Sequence, residues 1–283
     1  MRAIRDFLYH KGHEALFELR RLRTASSAMP HFILIGAQKS GTSSMFSYLK
    51  QHPQIIRPIF KEPYFFDRHY QRGLSWYGCN FPSQGTICRL DDRIGQPHLT
   101  FEATATYVFD ENVPDRIARD LKTRKFILLL RNPVERAISA YWHARRMGIE
   151  PRPLADAMQD DLRRYHEETP ENKTASNPAG PVPPRLSYLR RGIYHEAVAR
   201  WQNTFSPDSL LVLQSETMFA DPGAIMTKVF AFLDLPQPQS IDFTPQNVGE
   251  YDDRDAEVRQ VLQDFYRPHN AHLNSICRNG LNW

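Results

Sequence analysis

The chain has 283 residues, of which 41% are hydrophobic and 24% charged, an ordinary balance for a soluble globular protein. Its formal net charge of +4 suits an anionic ligand but is too weak to indicate nucleic-acid binding. No run of about 18 apolar residues occurs, so we expect no transmembrane helix, and three cysteines are too few for a disulfide framework.

The first predicted element is a basic amphipathic helix in residues 1–28. Its sequence, MRAIRDFLYHKGHEALFELRRLR, has apolar residues near helical spacing and no secretory apolar core. Two interpretations stay open: the helix packs on its own domain, or it contacts a membrane surface or a partner. Without a signal peptide we expect a cytoplasmic location with reduced thiols, although Cys79 and Cys88 could pair if they met in space.

Residues 29–283 are predicted to form one α/β domain with a central parallel β-sheet flanked by helices. The predicted strands are the apolar segments HFILIG, KFILLL from Lys125, and LLVL from Leu210. The predicted helices are GTSSMFSYLKQH, ended by Pro53, NPVERAISAYWHARR, with Pro133 in its first turn, and GIYHEAVARWQNTF. Apolar strands that alternate with helices indicate a parallel sheet that is covered on both faces.

Residues 150–186 differ in character from the rest of the chain. They are polar and contain seven of the 21 prolines, including the run NPAGPVPPR. We expect a partly helical excursion that ends in an extended loop. Such a segment could be a lid over a binding site, a plain surface insertion or a linker between domains.

The stretch FILIGAQKSGTSS is the strongest local signal in the sequence. An apolar strand ends at Gly36, and a helix begins at Gly41, so a tight loop connects them. The backbone N–H groups of such a loop, with a helix N-terminus behind them, form a pocket for a phosphate or sulfate. Lys39 adds a positive charge, and Thr42, Ser43 and Ser44 add hydroxyl donors. The alternative is a capped helix start with an exposed lysine.

Two features argue against a magnesium nucleotide site of the Walker type. In that motif the lysine follows the last glycine, whereas here Lys39 precedes Gly41. The second apolar strand ends in Arg131, where a magnesium site normally has an aspartate. An arginine there would repel a metal and attract another phosphate, and no Cys/His cluster has zinc-site spacing. We therefore expect a site for a mixed anhydride that needs no metal.

Two motifs, in this order and about 90 residues apart, carry a family resemblance. GAQKSGTSSMFSYLKQHP resembles the 5′-phosphosulfate loop of sulfotransferases that use 3′-phosphoadenylyl sulfate (PAPS), and LLLRNPVERAISAYW resembles their 3′-phosphate motif. The similarity is greatest to the carbohydrate branch, the heparan-sulfate type and its bacterial relatives. KEPYFFD, GLSWYGCNFP, FEATATY, GIYHEAVARW and FYRPHNAHL have counterparts there. The resemblance runs from Phe32 to the C-terminus and implies a P-loop-like sulfotransferase fold.

The resemblance also implies which residues bind the donor. Lys39 is expected to contact the bridging oxygen and neutralise the leaving 5′-phosphate. Arg131 and Ser139 are expected to hold the 3′-phosphate, with a surface salt bridge and a plain helix residue as their alternatives. The expected partners of the 5′-phosphate around Lys39 are Gln38, Ser40, Gly41, Thr42 and Ser43.

Glu62, in KEPYFFD, matches the family's proposed catalytic base. An acceptor hydroxyl needs a group that takes its proton during transfer. Aromatic neighbours of Glu62 are expected to raise its pKa by desolvation, an effect that Lys61 would offset. The alternatives are a structural salt bridge for Glu62, or His52 or His69 as the base. The aromatic neighbours are Phe60, Tyr64, Phe65 and Phe66.

The chain also departs from the heparan-sulfate pattern. Ala103 stands where those enzymes often have a lysine, and their Lys-Gly-Arg loop near the C-terminus is absent. Residues 247–251 are a candidate segment to close the cofactor pocket instead. Tyr64 and His143 are candidate acceptor contacts.

These observations predict a PAPS-dependent sulfotransferase, with 3′,5′-adenosine bisphosphate (PAP) as product and no metal. The expected acceptor is a hydroxyl of a carbohydrate, glycolipid or hydroxylated metabolite, with an amine as the less favoured option. The expected setting is a bacterial cytoplasm, with peripheral membrane contact through the N-terminal helix as an option, and no nucleic-acid partner. The alternatives are a P-loop kinase or nucleotide hydrolase, and a non-catalytic module that binds anionic glycans.

Overall fold

A computed structural model of the chain describes residues 26–167, 187–246, 255–277 and 280–283. The helix predicted for residues 1–28 lies outside these ranges except for its last three residues, and residues 247–251 lie outside them entirely. Within the described residues, no helix is both long and apolar enough to cross a membrane.

The described residues form a five-stranded parallel sheet with the strand order β2-β3-β1-β4-β5. Strand β1 lies in the middle and pairs with β3 on one side and β4 on the other. The carboxyl ends of parallel neighbours meet at one edge of a sheet, so the segments that follow β1 and β4 leave it side by side. The strands are β1 (Phe32–Gly36), β2 (Ile55–Ile56), β3 (Leu99–Ala103), β4 (Lys125–Leu130) and β5 (Leu210–Gln214).

Helices cover both faces of the sheet. They alternate with the strands along the chain, as the sequence predicts for a single α/β domain, and short 3₁₀ or π-helical turns lie at 65–72, 107–109, 190–192 and 207–209. The α-helices of the described part are α1 (Thr42–Leu49), α2 (Gly73–Gly78), α3 (Gln84–Ile94), α4 (Val113–Asp120), α5 (Pro133–Arg146), α6 (Leu154–Glu167), α7 (Tyr194–Thr204), α8 (Ser215–Ala220), α9 (Pro222–Phe232) and α10 (Ala256–Ile276).

Successive residues of the central strands enter two different cores. Ile33 and Leu128 pack with α2, α4 and α7 on one face, whereas Leu34 and Leu129 pack with α1 and α9 on the other. All four side chains are fully buried, and each such burial contributes roughly 1.5–3 kcal/mol relative to an exposed side chain. This two-sided burial explains why β1 and residues 126–130 of β4 carry no polar side chain.

The predicted strands that begin at 32, 125 and 210 are confirmed, and β2 and β3 are additional strands that the sequence analysis did not identify. In the excursion at 150–186, residues Leu154–Glu167 form α6, and residues 168–186 lie outside the described part. The suggested pairing of Cys79 with Cys88 is wrong for this structure. Cys79 is buried and Cys88 exposed, and both are free cysteines.

Candidate functional site

The loop between β1 and α1 is a tight turn held from two sides. The N–H of Ala37 donates to the carbonyl of Leu129 at 2.7 Å, which ties the loop to β4. The Ser215 hydroxyl, at the start of α8, donates to the Ser40 carbonyl at 2.7 Å. Lys39 and Gly41 have φ angles of +71° and +87°, so the chain doubles back within a few residues before the helix begins. The result is a curled loop at the N-terminus of α1.

The hydroxyl of Ser40 is a buried polar group within this loop. Ser40 is fully buried, and its Oγ has no hydrogen bond of good geometry among the described residues, although the Tyr194 hydroxyl interacts with it. Buried hydroxyls are normally paired. The nearby Tyr194 hydroxyl donates instead to the carbonyl of Arg131 at 2.9 Å. A loop with a buried hydroxyl, a lysine and the free N–H groups of a helix start fits an oxyanion such as a phosphate.

Arg131 brings the second motif to the same place. It follows the last residue of β4, and its Nη1 lies 3.4 Å from the carbonyl oxygen of Lys39. The Asn132 side chain accepts hydrogen bonds from the N–H groups of Val134 and Glu135 and so caps α5. The Arg131 side chain is 18% exposed and lies 3.9 Å from Glu135 across one helical turn. The two strand-to-helix junctions are therefore in contact, and a cationic side chain lies between them.

Ser139 and His143 both follow Arg131 on α5. Ser139 is buried on the second turn of the helix, and His143 is half-buried one turn further on. Both belong to the helix that begins at this junction, as the sequence analysis expects. Their assignments as a donor contact and an acceptor contact stay predictions.

Glu62 occupies the loop that follows β2, opposite the end of β3. Its N–H donates to the carbonyl of Ala103 at 2.8 Å, and its φ angle of +60° is unusual for a residue with a side chain. The Tyr64 hydroxyl donates to Glu62 Oε2 at 2.5 Å, and Lys61 Nζ lies 3.6 Å from Oε1. Tyr64 thus holds Oε2 by a hydrogen bond, Lys61 forms only an ion pair on the side of Oε1, and the Glu62 side chain remains 28% exposed.

The surroundings of Glu62 differ from the apolar setting expected from its neighbours. Phe65 and Phe66 are fully buried in the core with α2. Phe65 stacks on Tyr77, and Phe66 meets the Tyr77 ring edge-on. Burial, with Glu62 as the second cause, raises the pKa of Tyr64 well above its ordinary value. Tyr64 therefore stays protonated and can donate its hydrogen bond to Glu62 across the working pH range.

Lys61 connects the loop of Glu62 to the loop of Lys39. Its Nζ donates to the Ser43 hydroxyl at 2.8 Å, in the first turn of α1. Burial lowers the pKa of Lys61, and the neighbouring Glu62 opposes this effect. The candidate base and the anion-binding loop are therefore joined by one side chain.

The two alternative bases lie elsewhere. His52 is buried, with Nε2 2.9 Å from the carbonyl oxygen of Pro236 and Nδ1 accepting from the N–H of Gln54. Both ring nitrogens of His52 make hydrogen bonds within the protein. These bonds connect the end of α1 to the segment after α9. The ring of His69 packs edge-on against Trp76. The assignment of Glu62, rather than His52 or His69, as the base stays a prediction.

Comparison with known proteins agrees with this geometry. Residues 29–248, well over half of the chain, match the sulfotransferase domain family. The chain belongs to the sulfotransferase family. Family membership confirms the resemblance and makes the fold a sulfotransferase fold.

Individual relatives of this sulfotransferase domain come from several organisms. Human heparan sulfate glucosamine 3-O-sulfotransferase 3B1 is 28% identical over 92% of this chain and 66% of the relative. The membrane-associated sulfotransferase kil1 of Dictyostelium discoideum is 25% identical over 90% of this chain and 66% of the relative. The chain thus spans about two thirds of these relatives. A crystal structure of a sulfotransferase from Alicyclobacillus acidocaldarius is 27% identical, with a TM-score of 0.65, over 90% of this chain and 98% of that one.

The structure adds residues that the sequence analysis did not single out. Arg191 Nη1 donates to the Gln38 side-chain oxygen at 2.7 Å, and Tyr194 holds the carbonyl of Arg131. The N–H of Gln246 donates to the Ser44 hydroxyl at 2.9 Å, which places Gln246 beside α1. Arg191 and Tyr194 lie in or next to the quoted motif GIYHEAVARW, the only signal that could have found them.

Proposed function

We propose that the protein transfers the sulfuryl group of PAPS to a hydroxyl of a carbohydrate, glycolipid or hydroxylated metabolite. The observation that carries this proposal is the contact between the Arg131 guanidinium and the carbonyl of Lys39, where the two junctions meet. One elongated ligand with a phosphate near each end fits such a pair of adjacent anion sites.

The donor set fits PAPS without a metal ion. Bound PAPS supplies an activated sulfuryl group on a phosphate leaving group. Lys39, Ser40 and Thr42 are proposed to bind the 5′-phosphate, with Lys39 neutralising its charge as the leaving group departs. The remaining 5′-phosphate contacts are assigned to Gln38, Gly41 and Ser43. Arg131 and Ser139 are proposed to bind the 3′-phosphate, since a guanidinium and a hydroxyl together can grip one phosphate.

Glu62 is proposed to take the proton from the acceptor hydroxyl. It lies at the edge of the sheet next to residues 37–43, which we call the donor loop. Lys61 links Glu62 to this loop. The Tyr64 hydroxyl donates a hydrogen bond to Oε2 of Glu62. We therefore propose that Oε1 receives the proton. Tyr64 and His143 are proposed to line the acceptor side of the site.

The acceptor class rests on the relatives, several of which are named as heparan sulfate sulfotransferases. A cytoplasmic bacterial setting is proposed by analogy with the bacterial sulfotransferase structure. Peripheral membrane contact through residues 1–28 is the proposed alternative setting, and it agrees with the membrane-associated relative. No nucleic acid is expected as a partner.

A transfer assay with radiolabelled PAPS tests this function. The purified protein is incubated with labelled PAPS, without magnesium, and with a panel of oligosaccharides, glycolipids and small alcohols. We expect label in at least one acceptor and loss of that label in Lys39→Ala. In parallel, PAP without magnesium should raise the melting temperature. Stabilisation by ATP only with magnesium, and none by PAP, would refute the proposal.

A further inference from the structure

Lys61 belongs to neither phosphate motif, yet its side chain lies between the donor loop and Glu62. Its Nζ is 2.8 Å from Ser43 Oγ and 3.6 Å from Glu62 Oε1. The first distance is a hydrogen bond, whereas the second is too long for one and leaves only an ion pair. The hydrogen bond of Lys61 is therefore directed at the donor loop rather than at the adjacent base.

The chemistry of the two groups fixes the direction of this bond. An ammonium group has donors only, so the Ser43 oxygen must be the acceptor. The hydrogen of the Ser43 hydroxyl then has to point away from Lys61. Ser43 is the second residue of α1, and its hydroxyl belongs to the first turn, where the backbone N–H groups have no intrahelical acceptor. A donating hydroxyl at this place adds to the anion-binding groups of the loop.

The backbone around Lys61 is fixed on both sides. The N–H of Phe60 donates to Asn80 Oδ1 at 2.8 Å, and Asn80 Nδ2 donates back to the carbonyl of Phe60 at 3.1 Å. On the other side, the N–H of Glu62 donates to the carbonyl of Ala103. The Lys61 side chain is only 24% exposed. It is thus held in place, unlike a mobile lysine on a surface.

We propose that Lys61 is a positioning residue that orients the Ser43 hydroxyl as a hydrogen-bond donor to the 5′-phosphate of the donor. This inference rests on the proposed function. It assigns a role to the residue that joins the loop of the base to the phosphate loop. Lys61 acts through Ser43, so its contribution to donor affinity disappears when the Ser43 hydroxyl is absent.

A double-mutant cycle on PAP affinity tests the proposal and needs no acceptor. Isothermal titration measures the dissociation constant of PAP for the wild type, Ser43→Ala, Lys61→Met and the double variant. We expect each single variant to weaken binding about tenfold, the effect of one charge-assisted hydrogen bond. The double variant should also be about tenfold weaker, instead of about a hundredfold. Lys61→Arg retains a donor and should recover most of the affinity.

The control is Lys50→Met, which removes an exposed lysine at the other end of α1 and should leave PAP affinity within about twofold of wild type. Circular dichroism confirms that each variant is folded. Wild-type affinity in Lys61→Met, or a double variant weakened by the product of the single effects, would overturn the proposal. A folded wild type that does not bind PAP would overturn the proposed function itself. This outcome is distinct from the two that would overturn only the role of Lys61.

Discussion

Glu62, the proposed base, shows how single residues shape the candidate site. Its backbone has a left-handed conformation, and so does that of Tyr64, with φ angles of +60° and +51°. Such conformations cost about 1 kcal/mol or more for residues with side chains, and they tend to occur at functional sites. Here they bring the Tyr64 hydroxyl onto the carboxylate two residues earlier. The backbone strain at Glu62 and Tyr64 thus accompanies the fixed position of the Glu62 carboxylate.

Glu62→Gln should lower kcat by about a hundredfold or more, because a general base contributes on the order of 10²–10⁴ in rate. The amide keeps the shape of the side chain but cannot accept the proton. PAP affinity should change by less than about twofold. Steady-state kinetics and titration of PAP measure the two effects separately.

The control for this variant is Glu257→Gln, which neutralises an exposed carboxylate on α10. It should leave both kcat and PAP affinity unchanged. A Glu62→Gln variant that turns over normally, or one that loses only PAP affinity, would show that Glu62 has a structural role.

At the scale of elements, the turn from β1 into α1 depends on Gly41. A Cβ atom added there would lie 2.6 Å from Met218 Cε and 3.0 Å from the Phe219 ring, both on α8. The φ angle of +87° adds backbone strain to this clash. The donor loop is thus packed directly against α8.

Gly41→Ala should reduce the free energy of unfolding by about 2–3 kcal/mol, the sum of overpacking and left-handed strain. Gly148→Ala is the matched control, because Gly148 has a φ angle of +70° but no atom within 4 Å of the added Cβ. It should cost about 1–2 kcal/mol, from backbone strain alone. Urea unfolding measures both, and equal losses in the two variants would contradict the packing argument.

The elements that could be predicted from sequence are those with a long, uniform pattern. β1 is an apolar run that ends in Gly36, and β4 contains an apolar run that ends before Arg131. A helix follows each strand. β3 was not identified because buried polar residues, Thr100 and Glu102, interrupt its apolar pattern. β2 has only two residues, too few to produce a pattern.

The candidate site could be predicted only in part for a related reason. The motifs placed Lys39 and Arg131 directly after predicted strands and named Glu62 as a candidate base, and the structure brings the loops of these three residues together at one edge of the sheet. The bonds from Lys61 to Ser43 and from Arg191 to Gln38 join residues that are far apart in the chain. No local sequence pattern predicts such pairs, so these two hydrogen bonds could be identified only in the three-dimensional structure.

At the scale of the whole molecule, one core carboxyl group is expected to make stability depend on pH. Glu102 is fully buried, and the hydroxyls of Tyr77 and Thr104 donate to it at 2.5 and 2.6 Å. Burial raises its pKa from 4.5 to about 7, although these hydrogen bonds act in the opposite direction. The folded protein therefore binds a proton at Glu102 that the unfolded chain has already released between these two values.

The contribution of Glu102 to the free energy of unfolding should consequently fall as the pH rises from 5 to 8. The contribution of Glu102 is fully present below about pH 4.5 and is lost as the pH passes through about 7. Its size is roughly 3 kcal/mol. Glu102→Gln removes the titrating group, so its stability should vary less over this range. Urea unfolding at several pH values measures the difference, and parallel curves for the two proteins would contradict the assignment.

The central claim also concerns the whole molecule: the junctions after β1 and β4 bind opposite ends of one doubly phosphorylated ligand. The most direct measurement is isothermal titration of PAP and of adenosine 5′-monophosphate into the wild type and Arg131→Ala. The wild type should bind PAP at least about tenfold more tightly, because Arg131 contributes a charge-assisted contact to the 3′-phosphate alone. Arg131→Ala should lose this preference while its affinity for the monophosphate stays unchanged. A variant that still prefers PAP, or that loses affinity for both ligands equally, would contradict the account.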